Sequence, residues 1–280
     1  MITGAGRGIG RAYAHLLAAR GASVVVNDLG GSMEGDGADV DVAAAVVREI
    51  EAGVADTNDV SSADGADALI AHAIDEFGRV DVVINNAGIM RWAGPPEVDA
   101  ENLAAHIAAH VNGSFNVARA AWPHMVERGY GRIVMTTSSG VLGLPNNTAY
   151  ATAKGAVIGL TRSLATAGAK HGITVNAIAP AAFTRMARGA GDPEAMAPEL
   201  VAPMAAFLAH ADCPVSGEIY AAGAGRFARM FIATNQGYVN PSATIEDVAA
   251  HFDAINDVTS YAIPTDLIDW SAAFMQHLRD

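Results

Sequence analysis

Residues 2–28 read ITGAGRGIGRAYAHLLAARGASVVVND, and the fold turns on what this stretch does. Glycines at 4, 8 and 10 let a backbone turn sharply and approach a phosphate closely, and a helix starting near Ile9 aims its free N–H groups at the same point. Gly4, Arg7, Gly8, Ile9 and Gly10 are therefore candidate contacts to the phosphates of a dinucleotide. Taken alone, such a loop is equally a structural turn. After the loop comes a helical stretch over 9–20 and then Ala22–Asn27, ASVVVN, a continuous β-branched run of the kind found in strands buried on both faces. Asp28 ends that run eighteen residues after Gly10, with Leu29 beside it. A carboxylate in that place accepts from both ribose hydroxyls of an adenine nucleotide and repels a 2′-phosphate, which favours NAD over NADP. Two readings oppose this: Asp28 as a solvated acid at a strand end, and Arg7 as the partner of a 2′-phosphate.

The same alternation continues along the chain. Strands are expected at Ala22–Asn27, near Gly53–Ala55, and at Val80–Asn85, Gly131–Thr137, Ile173–Ile178 and Gly217–Ala221, with helices around 9–20, 39–52, 62–77, 98–127, 148–171 and 198–210. Repeated β-α units of this kind give an α/β fold with a doubly wound parallel sheet of Rossmann type. Residues 29–38, LGGSMEGDGA, read as an exposed insert before the second helix. The division expected is a dinucleotide-binding catalytic domain over 1–225 and a helical C-terminal extension over 226–280, packed on the main domain or on a partner subunit. In the extension, Thr244 and the acids after it announce a helix near 246–256, and a last helix is expected near 266–278. The first strand is short, and residues upstream of Met1 are expected to complete it, because a central strand left open exposes its neighbours' backbone groups.

Composition excludes several classes. The 280 residues are 51% hydrophobic and 17% charged, enough apolar material for a sizeable core. A formal net charge of −13 offers nucleic acid no general attraction. Cys213 is the single cysteine, so no internal disulfide is possible, in keeping with a cytoplasmic protein. No apolar run approaches the roughly 20 residues that span a bilayer, and the glycine-rich start does not read as a signal peptide.

Further motifs carry chemistry. Asn85-Asn86-Ala87-Gly88 closes one strand, Ser138 and Ser139 follow another, and Tyr150 and Lys154 stand at i and i+4 on one helical face. A cation beside a phenol favours the phenolate and brings it from its ordinary pKa near 10 towards working pH. In this order the motifs resemble the short-chain dehydrogenase/reductases over residues 2–225. The resemblance implies hydride transfer between a nicotinamide and a secondary alcohol or its ketone. It assigns Tyr150 as general acid/base, and Lys154 as the group that lowers its pKa and holds the nicotinamide ribose. Ser138 would orient the substrate oxygen, and Asn112 would support a proton-relay water. It further implies that Asn86, Ala87 and Gly88 line the cofactor, that Asp59 and Val60 hold the adenine edge, and that Pro180 and Thr184 meet the carboxamide. The family pattern also implies a homodimer or homotetramer.

VVVNDLGG with its insert, AAWPHM, AAFTRM and the long tail are similar to the (3R)-hydroxyacyl-CoA dehydrogenase group, represented by part of peroxisomal multifunctional enzyme type 2 and by bacterial single-domain relatives. That likeness implies a 3-hydroxyacyl-CoA or a bulky, steroid-like substrate, with Arg185, Arg188, Arg226 and Arg229 available to an anionic handle. A 3-oxoacyl-carrier or small-alcohol reductase is the alternative, and a non-catalytic NAD-binding protein a further one. Two departures from the pattern stand out. Ser138 lies twelve positions before Tyr150 instead of thirteen, which leaves Ser139 as a second candidate, and Pro180 is followed by Ala181 instead of glycine. His106 and His110 share a helical face but lack the intervening Glu of H-E-x-x-H, so no metal site is assigned.

Overall fold

The computed structural model describes residues 1–187 and 192–278; Arg188 lies outside them. Eight strands form one sheet: β1 (Ile2–Thr3), β2 (Val24–Asn27), β3 (Gly53–Asp56), β4 (Val82–Asn85), β5 (Gly131–Thr136), β6 (Ile173–Pro180), β7 (Ile219–Gly223) and β8 (Arg226–Met230), in the order β3-β2-β1-β4-β5-β6-β7-β8. Every pair from β3 to β7 is parallel. The order reverses direction between β1 and β4, so the crevice at the carboxyl ends of these two strands is the natural ligand site.

The helices between strands are α1 (Gly8–Ala19), α2 (Asp41–Ile50), α3 (Ala63–Phe77), α4 (Ala100–His106), α5 (Gly113–Arg128), α6 (Thr148–Gly168) and α7 (Ala202–Leu208). Ile2, Val24, Val26, Ile84, Val134 and Ile178 of the sheet pack with Tyr13, Ala14 and Leu208 in one buried cluster. Ser62 starts α3 by accepting from Gly65 N, and Gly78 ends it at φ 70°. β1 is only two residues long, yet Met1 O accepts from Ile84 N and its amino group donates to Val82 O.

Two expectations are revised. The long helix over 98–127 is two helices joined by a π-helical turn, Ile107–Asn112. The last predicted strand runs to Gly223, and a tight turn at Ala224 (φ 49°) and Gly225 (φ 72°) leads into β8. A two-residue connection can only reverse the chain, so 226–230 is an antiparallel edge strand and not the start of a helical segment. The insert 29–38 folds back on itself: Asp39 N donates to Leu29 O and Ser32 N to Asp36 O.

The contacts divide the chain into two units, Met1–Arg229 and Met230–Asp280. In the second, β9 (Thr234–Asn235) pairs antiparallel with β10 (Tyr261–Ala262), alongside three short helices, α8 (Ile245–Ala250), α9 (Phe252–Ile255) and α10 (Leu267–Phe274). Thr244 and Asp247 form a reciprocal capping box at the start of α8. Trp270 donates from Nε1 to Thr234 Oγ1 and stacks on Phe274. None of this unit's described residues is buried. No described helix is long and apolar enough to cross a membrane.

Candidate active site

The glycine loop leaves β1 and is locked by the turn after β4. Thr3 Oγ1 accepts from Asn86 N and Ala87 N, and Asn86 Nδ2 donates to Thr3 O (3.1 Å) and Gly4 O (2.9 Å). Asn86 and Ala87 therefore hold the loop in shape. Gly4 and Gly8 have φ of 62° and 52°, a region that glycine enters without strain. A Cβ on Gly10 would overlap Gly4 O, so the loop closes this tightly only with glycine there. Thr184 faces Gly8, 3.5 Å from where a Cβ would stand. Pro180 ends β6 opposite Ala222.

At the end of β2, Asp28 accepts from Gly6 N (2.8 Å) and Gly30 N (2.7 Å), which fixes its carboxylate at the lip of the loop beside Leu29. Arg7 points elsewhere, donating to Gly31 O and Gly30 O, and Arg185 Nη1 donates to the same Gly31 O. Past β3, Asp59 turns its carboxylate to Ser61 N, while Val60 O accepts from the buried Asn116 Nδ2. An acceptor at the end of β2, open φ-positive glycines and the N-terminus of α1 are the donor set a dinucleotide needs, and the residues present fit one.

Past β5 the chain reaches Ser138, whose Oγ accepts from Gly140 N and, like the Tyr150 ring edge, lies 3.2 Å from where a Cβ on Gly140 would stand. Ser139 is exposed. Thr137, thirteen before the tyrosine, is fully buried and donates to Lys154 O, so it anchors α6. Lys154 lies on the same face of α6, its Nζ 5.7 Å from the Tyr150 ring centre, and donates to Thr136 O at 2.7 Å. Burial pushes the phenol's pKa up, and the bond from Ser138 works against that. Burial also brings the Lys154 ammonium down to about 7.

Asn112 is not brought to this cluster: it is exposed on the π-helical turn. The inward residues of that stretch are His106 and His110, 0% and 2% exposed, their rings stacked at 5.8 Å. Both stand edge-on to Tyr150, His110 the nearer with ring centres 5.4 Å apart. Gly88 makes room for it, since a Cβ there would overlap His110 Cε1. The extra residue of a π-turn rotates the residues beyond it and moves Asn112 off the face that an uninterrupted helix would give it. A usable signal existed in the sequence: two histidines four apart in an otherwise apolar helix face. Among the described residues, no three His, Cys, Asp or Glu side chains gather as a metal would require.

A doubly wound sheet with a glycine cradle at its switch point and a serine–tyrosine–lysine cluster beside it defines an oxidoreductase built for a nicotinamide dinucleotide. The model of the short chain dehydrogenase family matches residues 1–194. A short-chain type dehydrogenase/reductase of Mycobacterium tuberculosis is 42% identical over 94% of this chain and 95% of its own length. The mouse peroxisomal multifunctional enzyme type 2 is 39% identical over 94% of this chain, which spans only 37% of that protein. Among solved structures, a 3-ketoacyl-(acyl-carrier-protein) reductase from Brucella melitensis complexed with NADH is 30% identical, with a TM-score of 0.72 over 80% of this chain and 96% of that one. The chain belongs to the short-chain dehydrogenase/reductase family.

Proposed function

We propose that the protein is an NAD-dependent dehydrogenase that interconverts a secondary alcohol and a ketone, acting on a 3-hydroxyacyl-CoA or a substrate of similar bulk. The observation that carries this reading is the convergence of Ser138 Oγ and the Tyr150 ring on Gly140, beside the buried Lys154. In the oxidative direction Ser138 holds the substrate hydroxyl and Tyr150 removes its proton, while Lys154 supplies positive charge beside the phenol. When bound, the dinucleotide supplies the hydride acceptor at its nicotinamide. Gly4, Gly8, Ile9 and Gly10 hold its pyrophosphate; Asp59, Val60 and Gly88 flank the adenosine and nicotinamide, and Pro180 and Thr184 meet the carboxamide. Asp28, already oriented by two backbone N–H groups, accepts from the adenine ribose, which supports NAD over NADP.

The substrate class rests on the VVVNDLGG, AAWPHM and tail resemblance and on the likeness to a peroxisomal multifunctional enzyme. The Brucella relative acts on a 3-ketoacyl carrier, which favours a second reading as a 3-oxoacyl-carrier reductase. Purified protein offered a panel of 3-hydroxyacyl-CoAs with NAD is expected to form NADH. Absence of turnover with that panel, together with dinucleotide oxidation on a 3-oxoacyl carrier, would select the second reading. A homo-oligomer in a reducing compartment agrees with both.

A further inference from the structure

Asn27 and Asp56 are the last registered pair of β2 and β3, and both are buried, at 2% and 4% exposed. Asp56 Oδ1 accepts from Asn27 Nδ2 (2.8 Å) and Asn58 N (2.9 Å), and its Oδ2 from Asn58 Nδ2 (2.8 Å) and His72 Nδ1 (3.0 Å). Asn27 Nδ2 donates a second time, to Asn58 O. With donors on both oxygens the carboxylate acts as an acceptor throughout, so His72 presents its Nδ1 hydrogen whether the ring is neutral or charged. Burying a carboxylate is costly unless donors surround it in this way. Among the described residues, His72 of α3 is the one ionisable group bonded to it.

The β2–β3 ladder stops at this pair, so beyond it side chains and not strand pairing must set where the two loops go. On one strand, Asp28 N donates to Asp56 O and Ala5 N to Asn27 O, which ties the ribose acid and the glycine loop to the same two residues. On the other, Asn58 leads straight into Asp59 and Val60. Resting on the dinucleotide reading of the site, we propose that Asp56 is a positioning residue for its adenosine half: the carboxylate, anchored on α3 by His72, fixes the spacing between Asp28 and the Asp59–Val60 wall through Asn27 and Asn58. Asp56 gives nothing to the ligand directly. Three strands lie between β3 and β5, roughly 19 Å across the sheet, so the serine–tyrosine–lysine cluster is beyond its reach. Its effect therefore falls on how tightly the dinucleotide binds and leaves the chemical step alone.

Asp56→Asn keeps the size and one acceptor but turns an N–H₂ group towards donors. In the folded variant, Kd for NAD and for ADP-ribose, measured by calorimetry, is expected to rise together by about tenfold. At saturating NAD, kcat and the KM for 3-hydroxyacyl-CoA stay within about twofold of the parent, because an affinity effect confined to the adenosine half leaves both alone. A general loosening would lower kcat and raise that KM as well; this result would overturn the proposal, as would unchanged affinity for ADP-ribose. His72 offers a milder change on a half-buried helix face, and it carries the decision if Asp56→Asn does not fold. His72→Leu removes the donor, whereas His72→Asn returns an N–H₂ group near the Nδ1 position. We expect ADP-ribose affinity to fall about threefold in the first and to recover in the second. Parent affinity in His72→Leu, or the same loss in both variants, would contradict the anchor and with it the proposal. Failure of the underlying reading looks different: the parent protein itself would then bind neither NAD nor ADP-ribose.

Discussion

Ser138 Oγ and the Tyr150 ring edge converge on Gly140 although twelve residues and the start of a helix separate them. The serine is held by Gly140 N and the tyrosine by the first turns of α6, so the fold itself sets both side chains. Pre-set donors of this kind need little reorganisation at the moment of reaction. Replacing Ser138 by Ala is expected to lower kcat about 10²-fold, while the same change at exposed Ser139 leaves it within twofold. Steady-state kinetics on the two variants decide which serine acts.

Tyr150→Phe removes a single oxygen from a half-buried ring. Turnover is expected to fall by roughly 10²–10⁴, with NAD affinity measured by calorimetry unchanged within threefold. Retained turnover would remove the phenol from the chemistry, and intact binding without turnover separates an enzyme from a mere nucleotide binder.

Asp28→Asn keeps an acceptor for only one of the two backbone N–H groups, which use different carboxylate oxygens, and removes the charge. KM for NAD is expected to rise about 10-fold to 100-fold, and the handicap of NADP to shrink. Unchanged preference in initial-rate assays would shift attention to Arg7 and Arg185, which meet at Gly31 O.

Lys154 carries a pH signature. Its ordinary value is 10.5 and its folded value is about 7, so between these limits the unfolded chain binds more protons than the native one. Native stability therefore carries the full desolvation penalty below pH 7, and the penalty is relieved as pH climbs towards 10.5. Lys154→Met lacks this penalty. Its Tm is expected to exceed the parent's at pH 6, and the advantage to shrink steadily by pH 10; a pH-independent Tm difference in scanning calorimetry would contradict the assignment.

Gly10→Ala tests the cradle without touching the chemistry. The added methyl would sit against Gly4 O and Asn86 Nδ2, and the forced shift is expected to destabilise the fold by about 1–3 kcal/mol, with NAD binding weakened in parallel. Chemical denaturation and NAD titration measure the two effects.

The sheet was legible because buried parallel strands are written as β-branched runs: VVVN, VVIN and RIVMT stand where the sequence pattern puts them, shifted by one or two residues at their ends. The positions of Ser138, Tyr150 and Lys154 followed from strand ends and the i, i+4 rule. Asn112 and His110 did not, because helical counting assumes 3.6 residues per turn and nothing in IAAHVN announces a wider one. β8 escaped for another reason. Its alternation, RFARM, is short and rich in arginine, and the turn before it puts Ala224 where glycine or asparagine is the usual signal.

The wider turn at Ile107–Asn112 has a bearing on how this chain tolerates change. Each residue along a helix advances the azimuth by about 100°, so an insertion or deletion there acts as a phase slip for everything downstream until the next loop. Shortening the turn by one would rotate the residues beyond the deletion relative to His106 and carry the buried face of α5, with Asn116, Val117 and Met125, towards solvent. Length in this segment is thus as constrained as residue identity, and drift among natural variants should show substitutions there but no gaps.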